Sequence, residues 1–422
     1  MPSLHTRRSL SPICLAVCAT ALGIYLSSYI ELPLWGMLTL LVSLLAMLGV
    51  AWLCRGAVSS WAFAVSLLLA GMLRGQLPDI SLLPASVTAY SLRLSDAAAR
   101  YVSALPLRAS TSALLQAMLL GHREHLPDAL RMLYRDTGAA HVLALSGLHL
   151  GIVFGLLNCF MLRLLTNGWR YVMGCLSLML VWGYALLTGF PISLCRAAVM
   201  VSVLLVAQMR LSGTDGWHSL SLAALLLLWL APSSLWNIGF QLSFSAIAGI
   251  LLFYQPLRQM FAPSSRPLMW LLSALCVSLA AQMGTMPLLL LWFHRMAWLG
   301  ILFSPLYILL ATLLIYLSLL LLPLSAVGGG QGLCWVVERA ADLQHGTMSA
   351  VASIASTQSA PIHWEWSHVV LTYAAMLSLL PLFDALRFDF VRPLQLRLYA
   401  LLRRWPFVVT FLFLLTAVVL LP

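Results

Sequence analysis

The chain has 422 residues, 62% of them hydrophobic and 8% charged, with a mean hydropathy of +0.97 and a formal net charge of +11. A soluble domain carries roughly 25% charged residues, so this composition excludes a water-facing globular fold. Apolar runs of about 20 residues recur without the alternation of a membrane β-barrel. The expected fold is therefore all-α: a polytopic integral membrane protein with roughly 11–13 transmembrane helices, some broken or re-entrant, plus interfacial amphipathic helices. In chain order, the first apolar run follows Arg7 and Arg8 and reaches Ile30 without a clear small-residue cleavage site, which predicts a retained first helix. Residues 1–73 read as N-terminal transmembrane helices. Residues 74–139 are richer in charge, with Arg74, Arg93, Arg100, Arg108, Arg123, Arg131 and Arg135 among five acids. Their apolar positions recur at helical spacing, so an extracytoplasmic, interfacial amphipathic segment is expected, with a solvated juxtamembrane loop as the alternative. Residues 140–325 read as a transmembrane core, and 326–422 as a C-terminal amphipathic segment with further spans.

All 23 basic residues are arginine. Their distribution over the short loops puts the N-terminus and the C-terminal cluster Arg387, Arg392, Arg397, Arg403 and Arg404 in the cytoplasm. Parity fails between 268 and 366. Either 297–322 is two half-helices, a break that Ser304-Pro305 favours, or 330–355 makes a re-entrant pass. The eight cysteines lack metal-ligand spacing and read as small hydrophobes.

Four stretches place costly polar groups inside apolar runs. In HVLALSGLHLG, His141 to Gly151, Ser146 and His149 share a helix face at i and i+3. Gly147, Gly151 and Gly155 form a small-residue stripe on another face, suited to helix packing. In TGFPISLCRAAVM, Pro191 breaks the chain, Ser193 opens a helix and Arg196 lies one turn further in. That arginine either snorkels to the interface or faces a polar cavity. In GFQLSFSAIAGI the polar pair is Gln241 and Ser243. In AAQMGTMPLLL it is Gln282 and Thr285, with Pro287 freeing a backbone carbonyl mid-span. Each stretch alone is also explained by hydrogen bonds between helices.

These stretches, with the run LLQAMLLGHREHLPDALRMLYRDTGAAHVLALSGLHLG from Leu114, resemble the competence domain of the ComEC family over about residues 110–325. The resemblance implies an inner-membrane channel that passes single-stranded DNA into the cytoplasm during natural transformation. It points to His141, Ser146, His149, Ser193, Arg196, Gln241, Ser243 and Gln282 as pathway residues, and to Gly147, Gly151, Gly155 and Pro287 for helix packing. It also implies partners: single-stranded DNA, the lipid bilayer, and separate DNA receptor, nuclease and cytoplasmic motor proteins. The sequence departs from the family at His122, where an acid is common. It also has no OB-like segment in 74–110 and no H-x-H-x-D-H motif of a metallo-β-lactamase-like domain. A competence-domain-only member is expected, without cofactor, metal or enzymatic activity.

Two other readings stay open. The same residues suit a transporter or channel for another anionic solute. A hydrolase built on Ser146 with His149 or His141 lacks an acid in the core spans to orient the base. The GHREH turn offers His122, Glu124 and His125 as metal donors or as a solvated charged turn.

Overall fold

The computed structural model describes residues 12–30, 32–53, 57–80, 84–143, 147, 149–151, 170–209, 216–260, 266–294, 298–354 and 363–385. Among these residues the chain is all helical, with fifteen α-helices and one 3₁₀ helix. Three helices are long and apolar enough to cross a bilayer: Ile238–Met260, Leu271–Phe293 and Leu302–Ala326. Shorter apolar helices accompany them, from Ile13–Ser27 to Gly216–Leu230. Large apolar side chains face outward, including Trp61, Met179, Val42 and Leu38. A water-soluble protein would bury such a surface, whereas lipid accepts it. The chain is a multi-pass helical membrane protein.

The residues group into two compact units. The first comprises 1–94 and 154–244, the second 95–153 and 245–422.

In the first unit, α1 (Pro12–Ser27) and α3 (Ala57–Gly75) approach to backbone contact. A Cβ on Gly23 would collide with the Leu68 carbonyl, one on Gly71 with that of Thr20, and one on Gly75 with the Ser27 hydroxyl. α2 (Leu34–Leu53) packs on α3. α10 (Gly216–Leu230) lies against α1, where Cys14 Sγ and Ser221 Oγ are 3.0 Å apart. Ile24, Leu227, Leu228 and Phe240 form the local core. α8 (Arg170–Leu187) and α9 (Ile192–Met209) form a hairpin. Its turn holds Gly189 and Phe190 at φ of 82° and 54°, a left-handed conformation that a bulky residue such as Phe190 rarely adopts. The chain then passes through the 3₁₀ helix Pro232–Trp236 into α11 (Ile238–Met260). Residues 238–244 of α11 belong to this unit.

In the second unit, α5 (Ala109–Leu120) is buried over ten consecutive residues, Thr111 to Leu120. It closes on Gly121 at φ 83°, the left-handed C-terminal conformation that glycine adopts without strain. α11 crosses α12 (Arg266–Phe293) at a pair of glycines. A Cβ on Gly249 would lie 2.8 Å from Gly284 Cα, and one on Gly284 would strike the Ser245 carbonyl. Phe253, Leu257, Cys276 and Ala280 pack below this crossing.

α13 (Trp298–Ala326) runs unbroken through Pro305 and Pro323, so the break expected at Ser304-Pro305 is not made. Helices tolerate proline where neighbours re-satisfy the freed carbonyls. Gly328 and Gly330, both at positive φ, turn the chain into α14 (Gln331–Ser353), which packs back along α13. α15 (Trp366–Ala385) consequently starts beside the end of α12, with the Trp292 and Trp366 rings 6.2 Å apart. α14 is amphipathic. Its Glu338 and Asp342 receive Arg108, the carboxylate of Asp342 at 2.7 Å.

Candidate functional site

Arg196 projects from the first turns of α9 and is only 5% exposed. Its Nη1 reaches Asn237 Oδ1 at 3.4 Å, a long hydrogen bond, and its buried Nε has no acceptor among the described residues. No ion pair among those residues includes it. Asp79, a carboxylate of the same unit, is engaged by the Ser233 backbone N–H at 3.3 Å and by the Ser233 hydroxyl. The guanidinium instead lies against the start of α11. A Cβ on Gly239 would stand 2.7 Å from Nη2. A helix N-terminus carries partial positive charge, so a buried cation there is doubly unfavourable until an anion joins it.

Asn237 is the N-cap of α11. Its Oδ1 accepts from the Phe240 backbone N–H at 3.2 Å while also receiving Arg196. Two other expected pathway residues occupy the same turns. Ser243 donates its hydroxyl to the Gly239 carbonyl at 2.6 Å, and Gln241 donates Nε2 to the Leu235 carbonyl at 3.1 Å. Ser193 is half-buried one turn before Arg196. Arg196 therefore lies against the first turn of α11, the helix that carries Gln241 and Ser243.

Arg74 shows what a satisfied arginine looks like in the same unit. It is equally buried, and its guanidinium donates to the carbonyls of Trp229, Leu230, Leu77 and Pro78 at 2.6–3.1 Å. Two of these acceptors end α10, where a cation suits the helix dipole.

The remaining pathway residues belong to the second unit. His149 is 1% exposed, with a hydrogen bond to the Val142 backbone; the charged or titratable groups facing it are His141 and Arg123. His141 is exposed and donates Nδ1–H to the Gly138 carbonyl at 3.0 Å. Gln282 reaches Ser278 Oγ at 3.4 Å. Pro287 lies within continuous α12, and the neighbouring Gly284 carbonyl accepts the Tyr373 hydroxyl at 2.6 Å.

Ser146 and Gly155 lie outside the described residues. Gly147 is exposed, and a Cβ on Gly151 would meet nothing within 4 Å, so the close approach seen here is made by Gly249 and Gly284 instead. His122 contacts Ser95 Oγ through Nε2 at 2.9 Å.

Sequence reasoning passed over Asn237 and Gly239, which carry no charge and stand at the start of an apolar run. An asparagine just before a helical apolar run is an N-cap signal that identifies the first. The space that glycine leaves at 239 is taken by Arg196, 43 residues away in sequence, and this leaves no local mark.

This arrangement defines a class: a multi-pass membrane protein with a buried cation, unpaired among the described residues, and polar side chains set inside apolar helices. Residues 118–387, well over half of the chain, match the family described as competence protein. The chain belongs to that family, in agreement with the resemblance to ComEC. It is 31% identical over 185 residues to ComE operon protein 3 of Bacillus subtilis, covering 44% of this chain and 23% of that protein. It is 29% identical over 154 residues to Recombination protein 2 of Haemophilus influenzae, covering 35% and 19%. Competence protein ComA of Neisseria gonorrhoeae is 30% identical over 149 residues, covering 33% and 21%. The matches thus span about a fifth to a quarter of these relatives' own length. No solved structure matches the chain. Every expected pathway residue, from His141 to Gln282, lies inside the family match.

Proposed function

We propose that this protein is a channel of the bacterial inner membrane that passes single-stranded DNA into the cytoplasm during natural transformation. The observation that carries this reading is Arg196: a buried guanidinium without a carboxylate among the described residues, inside the competence-family region. A strand's phosphates supply the anion that this arginine lacks, and arginine is the side chain best shaped to take them. His149, His141, Gln282, Gln241 and Ser243 supply further polar groups to such a path. We read the protein as a conduit and not as a hydrolase. Among the described residues, the titratable groups that act on His149 are His141 and Arg123, neither of which orients a catalytic base as a carboxylate does. The chain shows no nucleotide-binding G-x4-G-K-[ST] loop, so the reading calls for a separate motor, as well as a DNA receptor and a nuclease.

The test is uptake of labelled single-stranded DNA by cells or proteoliposomes holding wild type, His149→Ala or Arg196→Ala at matched membrane abundance. Uptake by wild type, with loss of about tenfold or more in each variant, is expected. Absence of uptake by folded wild type, beside transport of a smaller anion, would replace this reading with an anion transporter.

A further inference from the structure

We infer that Arg196 and the N-terminus of α11 form a built binding site for a phosphate oxyanion. The inference identifies the occupant as a phosphodiester of the nucleic acid strand, and that assignment rests on the proposed function.

The argument starts with hydrogen-bond capacity. A guanidinium has five N–H donors in a planar fork. Among the described residues only Nη1 of Arg196 finds an acceptor, and that at 3.4 Å, while Nε is buried without one. Opposite it, α11 has its own unmet donors. The Phe240 N–H goes to Asn237 Oδ1 and the Gln241 N–H to the Asn237 carbonyl. The amides of Ile238 and Gly239 have no acceptor among the described residues, as the first turn of a helix requires. Two unfilled amides and a partly filled guanidinium thus lie together at the start of α11.

An oxyanion there would accept from the amides along the helix axis and from the fork at the side, which is how helix N-termini hold phosphate. A carboxylate side chain would fill the same role, yet Asp79 is already bound to Ser233. Asn237 is exposed, so the place is open to a ligand.

Gly239 sets how closely the guanidinium can approach the first turn. Its Cα hydrogens are what allow Nη2 to lie beside the first turn, because a Cβ would come within 2.7 Å of it. Alanine is the better helix former, so Gly239→Ala displaces Arg196 while leaving α11 helical. Gly239 is therefore a positioning residue for the guanidinium.

The experiment is equilibrium dialysis of radiolabelled inorganic phosphate against the purified full chain in non-ionic detergent. Wild type is expected to bind saturably, one phosphate per chain. Arg196→Gln and Gly239→Ala are expected to weaken binding about tenfold or more, the effect of losing charge-assisted hydrogen bonds. Arg339→Gln, which removes an exposed arginine of α14, controls for bulk charge and should bind as wild type does.

No saturable binding by folded wild type overturns the site, whatever the variants do. Equal binding by wild type, Arg196→Gln and Gly239→Ala also overturns it. Two competitors then separate the sources of phosphate. Displacement by a short oligothymidylate supports the strand. Displacement by phosphatidic acid in mixed micelles, without displacement by oligothymidylate, keeps the oxyanion site but overturns the strand as its occupant. Phosphate binding in a protein that takes up no DNA likewise removes the channel reading and leaves the site standing. DNA uptake without phosphate binding does the reverse.

Discussion

Arg74 and Arg196 are equally buried arginines in one unit, and their surroundings give them opposite roles. Arg74 has its donors filled by four carbonyls, so truncating it strands those carbonyls and unties α3 from the end of α10. Arg74→Ala should cost on the order of 3 kcal/mol, seen as lower thermal stability and lower membrane abundance. Arg196→Gln removes a charge that the fold does not satisfy, so abundance should hold while uptake falls. If the two variants lose abundance alike, the contrast between them is wrong. The sequence could show Arg196 because it stands alone in an apolar run. It could not show Arg74's role, because Arg74 opens a stretch of many arginines and its acceptors Trp229 and Leu230 lie 155 residues or more away. His345 on α14 adds a pH effect. Burial pushes its imidazole below the ordinary histidine value, with Asp342 opposing and Arg108 adding to the shift. The unfolded chain then takes up the proton first. Stability should be fully present above the unfolded value, about 6.5, and fall as pH drops below it. Melting temperatures at pH 7.5 and 5.5 should differ less in His345→Gln than in wild type.

At the scale of elements, the all-helical, membrane-embedded character was legible because apolar runs of spanning length have no other solution in lipid. Which helices touch was not. The regular spacing of Gly147, Gly151 and Gly155 announced a packing stripe, yet Gly151 faces open space. The tight crossing instead uses Gly249 on α11 and Gly284 on α12, one glycine from each helix and no repeat in either. Proline misled in a similar way. Ser304-Pro305 looked like a break, but α13 continues through it, since helix geometry depends on whether neighbours satisfy the freed carbonyl. Tyr373 holds the Gly284 carbonyl beside Pro287. Tyr373→Phe should therefore lower stability by about 1 kcal/mol, the worth of one hydrogen bond. Gly284→Leu should cost more, since its side chain must push through the α11 backbone. Thermal melts of both variants in the same detergent rank them, and the reverse order would show that the crossing is loose.

For the whole molecule, the arginine distribution predicts an orientation that labelling can test. α14 returns the chain along α13, so α15 begins beside the end of α12. Cysteines placed at 237 and 79 should be labelled by a membrane-impermeant maleimide from outside, and one at 258 only after permeabilisation; labelling of 258 in intact cells would invert the topology. The division into two units has a consequence for how the protein is made. Each unit joins stretches that are not consecutive: 1–94 with 154–244, and 95–153 with 245–422. A ribosome delivers residues 1–94 first, but 95–153 emerges before their partners do. The first unit must wait half-assembled in the bilayer, and the second must wait longer still. A nascent chain halted after residue 153 contains no finished unit and exposes unpaired helices to membrane proteases. One halted after residue 244 has the first unit complete but 95–153 still unpaired, so the sensitivity of the growing chain should fall in two steps, one past residue 244 and one as 245–422 is finished.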